Sequence, residues 1–563
     1  MNPSWCYLFE AKGIQRYILD SGRLKDLIGA SDLIASLSRS NENDLISGVL
    51  AAAKIGDVKF SRRSGGSFCM HADNREDLDR FRALWRLAVG LVAPGMPYTD
   101  CDPVQASDFN KARDKAYSSQ SGVRKNTAAF LLPAGGPLTR FNPRTGRVAV
   151  EEEDRGGALI LLDVVTKAQV DRERSLTRAL KTSGQEDTLA QAFLPKDDTN
   201  KNYRFPRHFE TRDASRTNPA FPLGVSSKAQ NWTADRRVAI VHADISGLGQ
   251  IYREIADQAT SEDALFEVAT RIEECIAAAV RQACIDTVLP FSAIAGDKGF
   301  ETLFGPNTRT SPDVCIPPAR PVVLGGDDIT VIVRADLAMP FTKALLENIE
   351  TETFRVFGEM GWQNVPRAGL TACAGVAIVS SGHPFLAAHN MAEGMCRFAK
   401  KYAKAAGKAP YPSLITFSVI TSTIDEAFET EYREREHKTF DGRFLSAGPY
   451  GVGDHAAGHC GYNDLLRLAK TLNAIPGLGK LYEALSNRYD GTHTALRTWK
   501  RFLAVAAETE AAEDDLRSGF SGLGLNTLQE NDWPQMDEAL PYISDALELI
   551  DIGVVQEQRR LTE

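Results

Sequence analysis

The stretch RPVVLGGDDITVIVR, residues 320–334, sets two glycines and two aspartates between two apolar, β-branched runs. The pattern predicts a hairpin: branched side chains suit a pleated strand, and Gly and Asp suit the turn. A stretch of the same kind, VKFSRRSGGSFCMHA, occupies residues 58–72. Its turn has Gly65 and Gly66, with Ser67 and Phe68 where the later copy has Asp327 and Asp328. A charged hairpin tip is common and by itself says only that the chain turns there. The contrast says more. The turn forms without carboxylates in the earlier copy, so in the later copy they are free to serve chemistry. Adjacent residues of a strand point to opposite faces, so Asp327 and Asp328 have different roles.

Working outward, RRVAIVHADIS (236–246) is a nearly continuous apolar strand ending at Asp244. In the same sheet, its carboxylate can meet the hairpin. Ser246, Gly247 and Gly249 then open a helix, and the free N–H groups of a helix start attract phosphate. A long amphipathic helix follows over 261–286, with Ser261 as N-cap and acids in its first turn. After the hairpin come a helix (340–360), a strand (368–380) and a lysine-bearing helix (384–404). The order β-α-β-β-α-β-α predicts a ferredoxin-like α+β domain over 236–420.

The N-terminal 95 residues read as β-α-α-β-β-α, a related but degenerate domain. LFEAKGIQRYI (8–18) aligns without gaps on HADISGLGQIY (242–252), which puts Glu10 on Asp244 and Gly13 on Gly247. Residues 96–235 alternate Pro, Gly and polar loops with a helical piece near 166–194, a connecting domain. Residues 421–563 read as a helical domain with sparse strand signals.

The 563 residues, 43% hydrophobic and 25% charged, exceed one ordinary core and fit a soluble multidomain protein. No apolar run reaches the roughly 18 residues of a membrane helix, so no membrane partner is expected. The nine Cys form no CxxC pair, which suits reduced thiols in a cytoplasm. A net charge of −9 argues against a whole surface built to grip nucleic acid and leaves room for local basic patches such as FAKKYAKAAGK (398–408). An acidic protein that binds nucleotides needs positive charge from elsewhere, usually a divalent ion, and Mg²⁺ takes oxygen ligands. His455, His459 and Cys460 in DHAAGHC lie among glycines with no evident fourth ligand and read as a polar loop. His242 reads as packed in or beside its strand.

The GGDD hairpin, the strand-terminal Asp244 and AEGMCRFAKK (392–401) resemble the palm domain of the large polymerase-like subunit of type III CRISPR effector complexes. They are more distantly similar to GGDEF-type diguanylate cyclases. The N-terminal FEAKGIQRYI and SGRLKDLIGASDLI resemble that family's first, catalytically degenerate palm. The resemblance implies that Asp244, the Ile245 carbonyl, Asp327 and Asp328 hold two Mg²⁺ or Mn²⁺ ions. It implies that Gly325 and Gly326 admit the nucleotide and that Lys400 contacts phosphate, with Lys401 and Lys404 as further candidates. Ser246, Gly247 and Gly249 complete the expected nucleotide contacts.

The chain departs from the family in two ways: it has no N-terminal His-Asp nuclease domain and no four-Cys zinc site. A shortened or stand-alone relative is therefore expected. The implied activity is nucleotidyl transfer from ATP or another nucleoside triphosphate, giving a cyclic or linear oligonucleotide messenger in antiviral defence. RNA, proteins of a CRISPR-like complex, or a second copy of the chain are the implied partners. Two alternatives stand beside this reading: a non-catalytic scaffold that binds RNA or protein, and a nucleic-acid polymerase.

Overall fold

The structure is a computed structural model. It describes residues 4–40, 44–123, 128, 132–155, 158–184, 186–195, 202–209, 219–223, 236–259, 261–294, 314–360, 369–405, 407, 411–421, 427–439, 442–453, 459–475, 497, 501–502, 504, 510–525 and 536–555. It is a mixed α+β fold built on two main sheets.

The first sheet comes from β1 (Ser4–Ala11), β2 (Lys59–Ser64), β3 (Ser67–Ala72), β4 (Tyr98–Asp100) and β5 (Val104–Ala106). Three helices, α1 (Ile14–Leu19), α2 (Leu24–Ser36) and α3 (Leu45–Ala53), separate β1 from β2, one more than expected. The helix α4 (Arg75–Val92) follows β3, and α5 (Phe109–Val123) packs on β1. Asn74 caps α4 by accepting from Asp77 N, and Glu76 and Asp77 fill its first turn. Acidic groups there complement the helix dipole. The strand order is β2-β3-β1-β4, so this sheet runs past residue 95 into the stretch expected to be connecting.

A hairpin of β6 (Ala149–Arg155) and β7 (Ala158–Asp163) leads into α6 (Val164–Ser183), which Asp163 caps through Val165 N and Thr166 N. A Cβ on Gly29 would lie 1.9 Å from Gln169 O, so glycine there lets α2 lie directly on α6. The short α7 (Thr188–Gln191) and β8 (Asn202–Tyr203) complete this segment. Buried Arg320 donates to Asp187 at 2.6 Å and buried Arg207 to Glu173 at 3.0 Å.

The second sheet is centred on β9 (Arg237–Ile245). Then come α8 (Leu248–Gln258), α9 (Glu262–Thr287), β10 (Ala293–Ile294), β11 (Val314–Ile316), β12 (Ala319–Gly325) and β13 (Asp328–Arg334). The remainder is α10 (Ala335–Met360), β14 (Ala372–Ser380), α11 (Phe385–Ala405) and β15 (Ser413–Val419). Residues 427–555 add α12 (Arg433–Glu436), β16 (Tyr450–Val452), α13 (Tyr462–Ala474), α14 (Glu510–Gly522) and α15 (Met536–Asp551). The sheet order is β12-β13-β9-β14-β15-β16. Neither β15 nor β16 was expected from the sequence. The latter lies beyond residue 420, so the second sheet also crosses an expected boundary. Much of 476–535 lies outside the described residues.

Both faces of β9 are covered, which explains its unbroken apolar run. Ala239, Val241, Ala243 and Ile245 join the core of the second half. Val238 and Ile240 join a core shared with Phe9, Phe68 and Trp85 of the first half.

The two sheets repeat each other at the backbone. Glu10 faces Ser67 and Thr99, while Asp244 faces Asp328 and Cys373. Ala11 N donates to Gly66 O at 3.1 Å, and Ile245 N donates to Asp327 O at 3.2 Å. Lys12 N and Ser246 N donate in turn to Pro97 O and Thr371 O. Gly13 (φ 59°) and Gly247 (φ 75°) both take the left-handed conformation before a helix. This register corrects the alignment of the hairpins by one residue. Gly66 and Ser67, not Ser67 and Phe68, stand where the second copy has Asp327 and Asp328. In the first copy the two glycines are the central turn residues; in the second the centre is Gly326-Asp327.

Candidate functional site

The hairpin β12–β13 turns at Gly326 (φ 65°) and Asp327, which places Asp328 first on β13. Asp328 is the direct cross-strand partner of Asp244, the penultimate residue of β9. The Asp327 carbonyl accepts from Ile245 N, which ties the turn to the end of β9. Three carboxylates therefore gather at one sheet end.

Lys400 on α11 reaches this group and forms an ion pair with Asp244 Oδ2. It does so because α11 lies close on β14: a Cβ at Gly375 would sit 1.9 Å from Ala392 O. Gln15, in the first turn of α1, donates its side-chain amide to Asp328 Oδ2. The first half of the chain thus supplies a group to the second half's acidic hairpin. The two turns also touch, since a Cβ on Gly325 would lie 3.1 Å from Gly65 Cα.

The electrostatics follow from crowding. Burial, then the Asp327 and Asp244 carboxylates, push Asp328 up to about 7, while the Gln15 amide pulls the other way. Burial also raises Asp244, against the opposing pull of Lys400. The Lys400 ammonium is held charged by Asp244 despite its own burial. Asp244 Oδ1 is buried with no hydrogen-bond partner among the described residues. An orphan carboxylate oxygen beside two more acids fits a hard divalent cation, which would supply the missing charge and ligand.

A cavity of about 790 Å³ opens onto this group between the two halves, lined by Lys12, Gln15, Gly65, Gly325, Asp327 and Asp328 among others. A second cavity, of about 590 Å³, lies beside Glu10, Arg62, Arg113, Tyr117, Gly249 and Tyr252. Of the residues singled out in the sequence, Asp244, Asp327, Asp328, Gly325, Gly326 and Lys400 come together. Ile245 and Ser246 hold the strand end through their amides, and Gly247 supplies the left-handed turn. Gly249 lines the second cavity instead. Lys404 acts on Asp244 through its charge, and Lys401 turns away to pair with Glu429 at 2.5 Å.

His242 is buried, with Nδ1 3.1 Å from Thr330 Oγ1, and burial drives it down to about 3. Cys460 Sγ lies 3.1 Å from the Tyr542 hydroxyl. His455 lies outside the described residues. In the first hairpin Ser67 Oγ donates to Ser64 O at 2.9 Å, and Glu10 pairs with Lys12. The sequence alone does not single out Gln15. Its one signal is its place in the repeat, opposite Gly249, and a glutamine in a helix's first turn carries no chemical mark.

No protein-family model matches the chain, and no curated protein matches it. Among solved structures, it is similar to a Csm1–Csm4 cassette in complex with cA4, at 13% identity and a TM-score of 0.47. That match covers 98% of this chain and 70% of the other. It is similar to a Csm1–Csm4 cassette in complex with one ATP at 12% identity and a TM-score of 0.46, with the same coverages. It is also similar to Csm1 in T. onnurineus at 14% identity and a TM-score of 0.45, again over 98% and 70%.

Proposed function

We propose that the chain is a metal-dependent nucleotidyltransferase of the nucleotide-cyclase kind. Its substrate is ATP or another nucleoside triphosphate, and its product a cyclic or linear oligonucleotide messenger. The observation that carries this reading is the cross-strand pair Asp244–Asp328, with one buried carboxylate oxygen that has no partner among the described residues. The GGDD resemblance supplies the reaction class.

Asp244 and Asp328 would hold the ions, with Asp327 assisting from the turn. Bound there, Mg²⁺ or Mn²⁺ would neutralise triphosphate charge and favour ionisation of an attacking hydroxyl. Lys400 would leave Asp244 for a phosphate oxygen as the acids gain another cation. Gln15 orients Asp328 and favours its ionised form. Gly325 and Gly326 leave the hairpin tip without side chains where a triphosphate would approach. The ribose hydroxyl of a second nucleotide would attack the α-phosphorus, releasing pyrophosphate. RNA or proteins of a CRISPR-like complex are the partners this reading carries with it. The test is incubation of the full chain with ATP and Mg²⁺ or Mn²⁺, followed by mass spectrometry. Pyrophosphate and a short phosphodiester product are expected; long products point to a polymerase, and none to a scaffold.

A further inference from the structure

The first sheet buries a cluster of soft ligands on the face covered by α5. Cys6 faces His71 in the β1–β3 register, and Cys69 lies two residues before His71, on the same side of β3. Cys6 Sγ is 3.2 Å from Cys69 Sγ, and Cys69 Sγ is 3.6 Å from His71 Nε2. Ser61 sits at the irregularity in β2 between Phe60 and Arg62, with Oγ 2.9 Å from the same His71 nitrogen. Both cysteines are fully buried and His71 is 2% exposed. Phe109 closes the cluster edge-on at 6.2 Å from the imidazole.

A core cysteine ordinarily packs as a small apolar group with a weak S–H donor, so two thiols and an imidazole meeting in one place call for a further reason. Here all three ligand atoms lie within 4.8 Å of one another. In a tetrahedral zinc site, with Zn–S about 2.3 Å and Zn–N about 2.0–2.1 Å, neighbouring ligand atoms are roughly 3.5–3.8 Å apart. The Cys69–His71 gap of 3.6 Å already fits, and the two sulfurs at 3.2 Å must part by about 0.5 Å. Charge agrees as well. Two thiolates cancel a divalent cation, which leaves a neutral unit that a dry interior tolerates. Thiolate and imidazole ligands select zinc over the oxygen-seeking ions of the acidic hairpin.

We propose that Cys6, Cys69 and His71 bind one Zn²⁺, with an oxygen at Ser61, its hydroxyl or a water it holds, in the fourth position. The site is structural and independent of the reading of the acidic hairpin. It pins β1 to β3, the strand pair whose other end carries Glu10 and Ser67.

The test is metal analysis of the full chain, purified reduced, without chelator and without a polyhistidine tag, then supplied with zinc and desalted. About one zinc ion per chain is expected. It should persist in Asp244→Ala/Asp328→Ala and be lost in Cys6→Ser/Cys69→Ser. Should the cysteine variant fail to fold, cobalt substitution of the wild-type chain reads the ligands directly. Thiolate-to-cobalt charge transfer and tetrahedral ligand-field bands are expected. Three results would each overturn the proposal: zinc far below one per chain, zinc retained without the cysteines, or cobalt bound without thiolate bands. So would an intact mass two hydrogens light, with Cys6 and Cys69 joined in the peptide map.

Discussion

Gln15 donates a hydrogen bond to Asp328 across 313 residues of sequence, from the first helix of one half to the acidic hairpin of the other. A donor to a charged group contributes about 1.5–3 kcal/mol, or roughly one to two pKa units, in favour of the ionised carboxylate. Gln15→Ala should therefore move the acid limb of the pH–rate profile up by about that much. The loss should be about tenfold or more below neutral pH and small at high pH. A purely structural role would lower activity evenly across the profile.

Asp328 should also cost stability. Its folded value of about 7 lies above the ordinary carboxylate range, so the folded chain binds the extra proton between about 4 and 7. Stability is then highest below that window and falls as pH rises through it. Asp328→Asn removes the cost. In metal-free buffer at pH 8, denaturant melts should show a gain of up to about 4 kcal/mol, shrinking to nothing near pH 4. The same variant should lose its activity, as stabilised active-site variants often do.

The lysines on α11 are expected to separate by function. Lys400 pairs with Asp244, whereas Lys401 is 66% exposed at its side chain and pairs with Glu429. Lys400→Ala should raise KM for the triphosphate severalfold. It should also tighten divalent-ion binding in the absence of nucleotide, since a competing cation is gone. Lys401→Ala should change neither, as surface ion pairs contribute about 0–1 kcal/mol. Steady-state kinetics and metal titration read both.

Gly375 links the fold to the site. A methyl group there would meet Ala392 O, so Gly375→Ala must lift α11 away from β14. A loss of about 3 kcal/mol or more is expected, by the overpacking mechanism, with activity falling alongside because Lys400 rides on the same helix. Thermal unfolding and the rate assay should report the two together.

The acidic hairpin and β9 were legible because glycine, aspartate and branched apolar residues mark turns and covered strands locally. The repeat was legible in order, but its register was not. In SGGS the first hairpin has glycine at both central turn positions, whereas Gly326-Asp327 fills them in the second, and only cross-strand pairing reveals that slip. The strands Ser413–Val419 and Tyr450–Val452 are not legible locally because they complete a sheet begun elsewhere. Gln15 and the cluster of Cys6, Cys69 and His71 depend on contacts between distant segments. Neither leaves a short motif behind.

The central claim is that the Asp244–Asp328 pair performs nucleotidyl transfer. Pyrophosphate release from ATP with Mg²⁺ or Mn²⁺ tests it most directly when measured side by side on the wild-type chain, Asp328→Ala and Ser67→Ala. The account predicts release by the wild type and by Ser67→Ala, and a fall of at least about a hundredfold in Asp328→Ala. Equal release by Asp328→Ala, or no release by the wild-type chain, would contradict it.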